Sequence, residues 1–445
     1  MRHGHLLRIF GVGFGLAAVI GGMVGQGILR SPGVVASTVP EPALAMGLWL
    51  FGALVSALSA LAYVELGCAI PAAGGPFDYM RRAFGDRAAI FTGWAVFLAI
   101  ATSTGMLAYV TGEFLVRLGA SPSANPAVPA LAVVALFFAI NWTGTRLSGV
   151  SQMLFSSLKG GALVAFVAVL LIQPGNAQAA PAPAAAAGLL GTALALRVIF
   201  GTYAGWQDIA LYCEELESPG RSLPRSLLGG IALVGVLYLV VNLALFHVLS
   251  PAQMAGSNLA AADAAAVVFG ARGELVLTLF GVLSVAAITN LGIMSATRIA
   301  FALGRAGILP DALAVVAPSG TPRVALTVIV AMVALLVATG TFDTLSASST
   351  SLYQLNVILV TLAAIALRRR EPDLPRPFRV PWFGPVVALS LLVNAALLAA
   401  FVAEEPWGGV LGFGLLVICT AISLGLHGRR PLRESLPLPA AGEAR

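Results

Sequence analysis

Charged residues are missing from long stretches of this chain: 44–64, 88–112, 118–145, 160–196 and 226–262, then 275–297, 324–342, 344–367, 380–403 and 406–428. Most of these runs exceed the ~20 apolar residues that carry a helix across a bilayer. They predict twelve spans, at 10–35, 43–67, 88–116, 127–144, 148–172, 189–213, 226–249, 272–299, 323–341, 345–367, 380–403 and 407–427. The third and eighth are long enough to require tilt. The fold class is therefore an all-α polytopic membrane protein.

Two spans carry an interruption. In the first, Gly21, Gly22, Gly25 and Gly27, followed by Pro32, make a poor helix interior, since each Gly costs ~1 kcal/mol relative to Ala. In the sixth, the run from Phe200 through Gly201, Thr202, Tyr203, Ala204 and Gly205 to Trp206 is similarly weak. Glycine also serves close helix packing in membranes, so one such cluster alone would decide little. These two, however, fall in the first members of two five-helix halves. Paired breaks at matching positions point to an inverted-repeat transporter with its site at the midplane. Broken backbone persists in a bilayer only where it lines a cavity or ligand. Its bare amides and carbonyls would hold a carboxylate and an ammonium, the two ends of an α-amino acid.

Composition agrees: 59% of residues are hydrophobic and 10% charged, with mean hydropathy +0.94, where soluble domains carry roughly 25% charged residues. The net charge of +6 reads as membrane orientation rather than nucleic-acid binding. Twenty of the 25 basic residues fall in the loops and ends on the side of the N-terminus, and three, Arg30, Arg117 and Arg272, on the other. That asymmetry puts both termini in the cytoplasm of a multi-pass protein of the cell (inner) membrane. A miscount by one span would scramble it. No cleavable signal pattern is expected ahead of the first span. Cys68, Cys213 and Cys419 are too few and too scattered for a disulfide framework or a metal site, and HExxH, P-loop and GxSxG strings are absent. No cofactor and no metal are expected, and no enzyme.

Gly25-Gln26-Gly27-Ile28 resembles the first-helix Gly-Ser-Gly-Ile of the amino acid–polyamine–organocation superfamily. Glu65-Leu66-Gly67, Pro71, Gly74-Gly75, Tyr79 and Phe84-Gly85 follow its next signature. Tyr203-Ala204-Gly205-Trp206, Glu214-Glu215, Pro219 and Arg221-Ser222-Leu223-Pro224 continue it, as do Arg298, Arg305 through Pro310, Thr321-Pro322 and the segment 372–381. The Tyr-x-Gly-Trp form is most similar to the L-type branch and its bacterial serine/threonine-exchanger-like members. The resemblance implies a leucine-transporter-like fold. The first repeat would be 10–172 and the second 189–367, joined by an extracytoplasmic linker at 173–188. Two added helices would occupy 368–427, between cytoplasmic ends at 1–9 and 428–445. It implies neutral amino acid transport by exchange or proton-linked, sodium-independent uptake. The substrate would contact Met23, Gly25, Gln26, Gly27 and Ile28 of the first span and Phe200, Gly201, Thr202 and Tyr203 of the sixth. Gln26 departs from the usual Ser, and Gly201 stands where the branch commonly has Phe. L-type light chains join a heavy subunit through a cysteine between spans three and four. Residues 120–126 contain none, so no such partner is expected.

Lys159, in the fifth span, is the only lysine of the chain. An intramembrane charge is a functional candidate by default, and Lys, unlike Arg, can lose its proton when desolvated. Many family members carry a lysine here where sodium-coupled relatives bind sodium. It is expected to reach the carbonyls near Ile20 and Gly21, with Thr289 and Asn290 of the eighth span either nearby or serving as helix–helix glue. Arg197 is read as a vestibule or interface residue, and Asp208 as a helix-terminus residue or the partner of a cationic substrate. Glu65, Glu214 and Glu215 lie beside arginines as a salt-bridge gate, and His247 is interfacial. A cationic amino acid or polyamine exchanger is the second transport reading. A membrane receptor or intramembrane enzyme is a third, and the enzyme would need a catalytic cluster that the sequence does not offer.

Overall fold

The computed structural model describes residues 6–120, 124–175, 188–257, 259–339, 342–404, 406–427 and 431–433. Most of the linker expected at 173–188, the end of the chain beyond 433 and residues 121–123 of the third-to-fourth loop lie outside these. The helices are α1 (Val12–Met23), α2 (Gly27–Thr38), α3 (Pro42–Ala69), α4 (Pro76–Phe84), α5 (Asp86–Arg117), α6 (Ala127–Thr143), α7 (Thr145–Leu171) and α8 (Leu189–Thr202). A short 3-10 helix, Trp206–Tyr212, separates them from α9 (Pro219–Val248), α10 (Pro251–Ala255), α11 (Ala260–Phe269), α12 (Gly273–Arg305), α13 (Arg323–Thr339), α14 (Phe342–Arg370), α15 (Phe383–Glu404) and α16 (Pro406–His427).

Eight helices among the described residues are long and apolar enough to cross a bilayer, and α1 with α2, bent by 45° at their break, makes a ninth. The shorter apolar helices α6 and α13 and the interrupted α8 with its 3-10 continuation complete the twelve positions. The sixth span, over 189–213, is interrupted within the weak stretch 200–206. Regular α-helix stops at Thr202, and Gly205 takes φ 105° before the 3-10 turn begins. Such a φ is natural only for glycine. Three further helices, α4, α10 and α11, occupy stretches read as loops. Each starts on a turn or a proline rather than on a long apolar run, so hydropathy alone does not mark them.

The core that positions the site is formed by α1, α5, α7, α9, α12 and α14. α1 packs against α7 and α9, and α5 lies between α12 and α14. α15 and α16 sit outside α14 and leave Leu392 and Val417 exposed, as side chains facing lipid would be. The segment before α1 is clamped to the segment after the 3-10 helix. Ile9 and Phe10 donate backbone hydrogen bonds to the Glu215 carbonyl, and Glu217 donates to Phe10.

Candidate functional site

The break in the first span leaves the last carbonyls of α1 and the first amides of α2 without partners along the chain. Residues Val24, Gly25 and Gln26 separate α1 from α2, and no side chain caps the α2 N-terminus. On the carbonyl side, partners arrive from other helices. Lys159 Nζ, fully buried on α7, donates to Gly21 O at 2.5 Å and Val24 O at 2.6 Å. Ser284 of α12 donates to Val24 O at 3.1 Å, and Tyr238 of α9 to Met23 O at 2.7 Å. The bond of Tyr238 to Thr202 O at 3.3 Å ties the two breaks together, as does Ser31 Oγ to Thr202 Oγ1 at 2.7 Å.

The breaks also touch backbone to backbone. A Cβ on Gly22 would collide with the Gly205 carbonyl, and one on Gly205 with the Gly22 carbonyl. Beside this crossing lies a cavity of about 320 Å³. Met23, Gly25, Gln26 and Gly27 line it from the first span and Phe200, Gly201 and Thr202 from the sixth, with Ser103, Gln207, Asp208, Tyr353 and Gln354 among the remaining wall. The N-terminal amides of α2 thus border the cavity, where a helix terminus favours an anion.

Two expected contacts do not line it. Ile28 is fully buried in the core. The Tyr203 ring sits between Trp49 (5.9 Å) and Tyr238 (5.1 Å), so burial of its large apolar face decides its direction. Ile20 O accepts from the Val24 amide and not from Lys159. Thr289 bonds back to Val285 within α12. Asn290 donates to Gln152 of α7 at 2.9 Å and accepts from Asn141 of α6 at 2.9 Å, a glue between three helices. The polar residues that sequence reading missed are Tyr238 and Ser284, isolated in apolar runs, and Tyr353, in a polar stretch with Ser351 and Gln354; all three look like any helix-packing hydroxyl.

At the arginine-rich face the acids are paired. Arg298 grips Glu215 through two bonds of 2.8 and 3.0 Å, and Arg305 grips Glu214 at 2.9 and 2.8 Å. Glu214 also accepts from the amides of Leu6 and Ala73, and Glu65 pairs with Arg368 and Arg376. On the opposite face a second cavity of about 910 Å³ is bordered by Arg30, Arg117, Asp263 and Glu274, and Gln26 lines both cavities. His247 bonds to the Gln173 carbonyl, and Arg197 is half-buried on α8 outside both cavities' walls. Among the described residues no group of His, Cys, Asp or Glu could hold a metal ion.

A helix bundle with two interrupted spans meeting on one internal cavity is the architecture of a secondary transporter. The chain belongs to the amino acid permease family, whose model matches residues 14–424. It is 26% identical over 395 residues to the serine/threonine exchanger SteT of Bacillus subtilis (strain 168), covering 86% of this chain and 89% of that one. It is 30% identical over 426 residues to Asc-type amino acid transporter 1 of Mus musculus, covering 91% and 78%. To b(0,+)-type amino acid transporter 1 of the same species it is 27% identical over 406 residues, covering 88% and 82%. Both the family and these relatives are transporters and not enzymes, and so is this multi-pass chain.

Proposed function

We propose that the protein moves small neutral amino acids by alternating access, through exchange or proton-linked, sodium-independent uptake. The observation that carries this reading is a cavity that both breaks line. The substrate's α-carboxylate lies on the amides of Gly25–Ile28, where the α2 terminus supplies positive potential. Its α-ammonium lies on carbonyls near Met23 and the stretch 200–203. Ile28 contributes through its amide alone, and Tyr203 through its backbone. Lys159 holds the inner half of the first span where a coupling cation would sit. The two repeats run over 10–172 and 189–367, with α15 and α16 added. The chain lies in the cell (inner) membrane with both termini in the cytoplasm, and it works without a heavy subunit. The name of the first relative, a serine/threonine exchanger, supports small neutral substrates, and that of the second supports amino acids in general.

Asp208 in the cavity wall favours a second reading, cationic amino acid or polyamine exchange. Uptake of labelled amino acids and amines into proteoliposomes separates the two. Neutral amino acids should enter, or exchange with preloaded ones, at equal rates with and without sodium. Failure of every amino acid and amine to be moved or bound would remove the central claim. Gly25→Phe should abolish binding in a protein that still inserts, because the carboxylate must reach bare backbone.

A further inference from the structure

All α-amino acids share one backbone, so the amides of α2 and the carbonyls near the sixth-span break cannot choose among them. Selection falls to the rest of the cavity wall, where Asp208 is the only carboxylic acid and no Lys, Arg or His stands among the described residues. It stands on the 3-10 helix that follows the sixth-span break, held there because Gly205 turns the chain out of α8. Its hydrogen-bond partners are neutral hydroxyls: Tyr353 of α14 donates to Oδ1 at 3.2 Å, and Ser295 of α12 lies beside it. Among the described residues no Lys, Arg or His forms an ion pair with it. Ser103, Gln207 and Gln354 make the neighbouring wall polar. An ionised carboxylate offers about four acceptor positions. With hydroxyls as its partners among the described residues, Asp208 keeps acceptor positions open, and intramembrane acids of this kind mark substrate or ion pathways.

We propose that Asp208 determines specificity by accepting a hydrogen bond from the substrate's side chain. The cavity then selects α-amino acids whose side chain carries a donor, a hydroxyl or an ammonium, over apolar side chains of the same shape. This rests on the reading that the substrate's backbone occupies the two breaks. A bond to a charged acceptor corresponds to roughly 10- to 100-fold discrimination, because the apolar analogue leaves the carboxylate unpaired.

Competition against a labelled amino acid on the purified full chain tests it with two shape-matched pairs. Threonine against valine reads the hydroxyl, and 2,4-diaminobutyrate against norvaline reads the ammonium. In the wild type the donor should win by tenfold or more in at least one pair, and Asp208→Leu should bring that ratio close to one. Asp208→Asn keeps the shape and an uncharged acceptor. It should abolish any preference for the ammonium while sparing part of a preference for the hydroxyl. Ratios cancel a general loss of affinity, which is all that a merely structural role would produce. Ratios unchanged in both variants, or an apolar member favoured by the wild type, would overturn the proposal and leave the backbone site standing. A wild type that binds none of the four, nor alanine, overturns the backbone reading itself.

Discussion

A single methyl group has opposite consequences at two glycines of the broken spans. At Gly22 it would enter the Gly205 carbonyl, and backbone packed against backbone has no rotamer through which to yield. At Gly201 the same position is open space in helix α8, where Ala is favoured over Gly by ~1 kcal/mol. We expect Gly22→Ala to destabilise by about 1–3 kcal/mol or more and Gly201→Ala to keep or raise the melting temperature. Thermal unfolding of the purified variants reads both, and equal tolerance at the two sites would show that this crossing does not hold the breaks together. The glycines were legible in the sequence because helix propensity is local. What surrounds them was not. Tyr203 is expected at the substrate through its carbonyl, and its ring lies in the core against Trp49 and Tyr238. That choice depends on α3 and α9, which no window around residue 203 contains.

Among the elements, α7 and the first span depend on each other through Lys159. The carbonyls of Gly21 and Val24 are among those a continuous helix would have given to amides four residues on. The break exposes them, and one ammonium covers both. A lone lysine in an apolar run marks a functional candidate, and the family resemblance implies a role for it at the first span. It did not disclose which carbonyls it meets, or that the α12 partner is Ser284 rather than Thr289 or Asn290. Lys159→Ala uncovers the Gly21 carbonyl where water is scarce and leaves Val24 O to Ser284 alone, so the end of α1 loses its ammonium tie to α7 while the α2 amides that face the cavity remain. Transport should fall by tenfold or more beyond any change in equilibrium binding. Lys159→Arg should not restore it, because a planar guanidinium cannot place one point charge between two carbonyls. Parallel uptake and binding measurements decide the matter. A Lys159→Ala protein that transports at the wild-type rate, or a wild type that requires sodium, would contradict this role.

Across the whole molecule the two faces differ: the arginine-rich face is sealed by paired charges, and the opposite face holds the larger cavity. Arg298 and Arg305 stand two turns apart on α12 and grip the consecutive acids Glu215 and Glu214, so one helix bolts the end of the sixth span shut. Arg298 and Glu215 are both buried, and removing one member of a buried pair costs about 3–5 kcal/mol, since the other charge is left without a partner. Opening this face would return Arg298 to water, so Glu215→Gln penalises the closed arrangement far more than the open one. Each 1.4 kcal/mol of that difference shifts the two populations tenfold relative to one another. The chain carries its own reporters. Cys213, adjoining Glu214, is 0% exposed, whereas Cys419 lies on α16 far along the chain and is partly exposed. Glu215→Gln should therefore raise the alkylation rate of Cys213 at least about tenfold while that of Cys419 stays constant. A rise at both cysteines would signal general unfolding, and no rise at Cys213 would show that the Arg298–Glu215 pair fastens the fold without gating it.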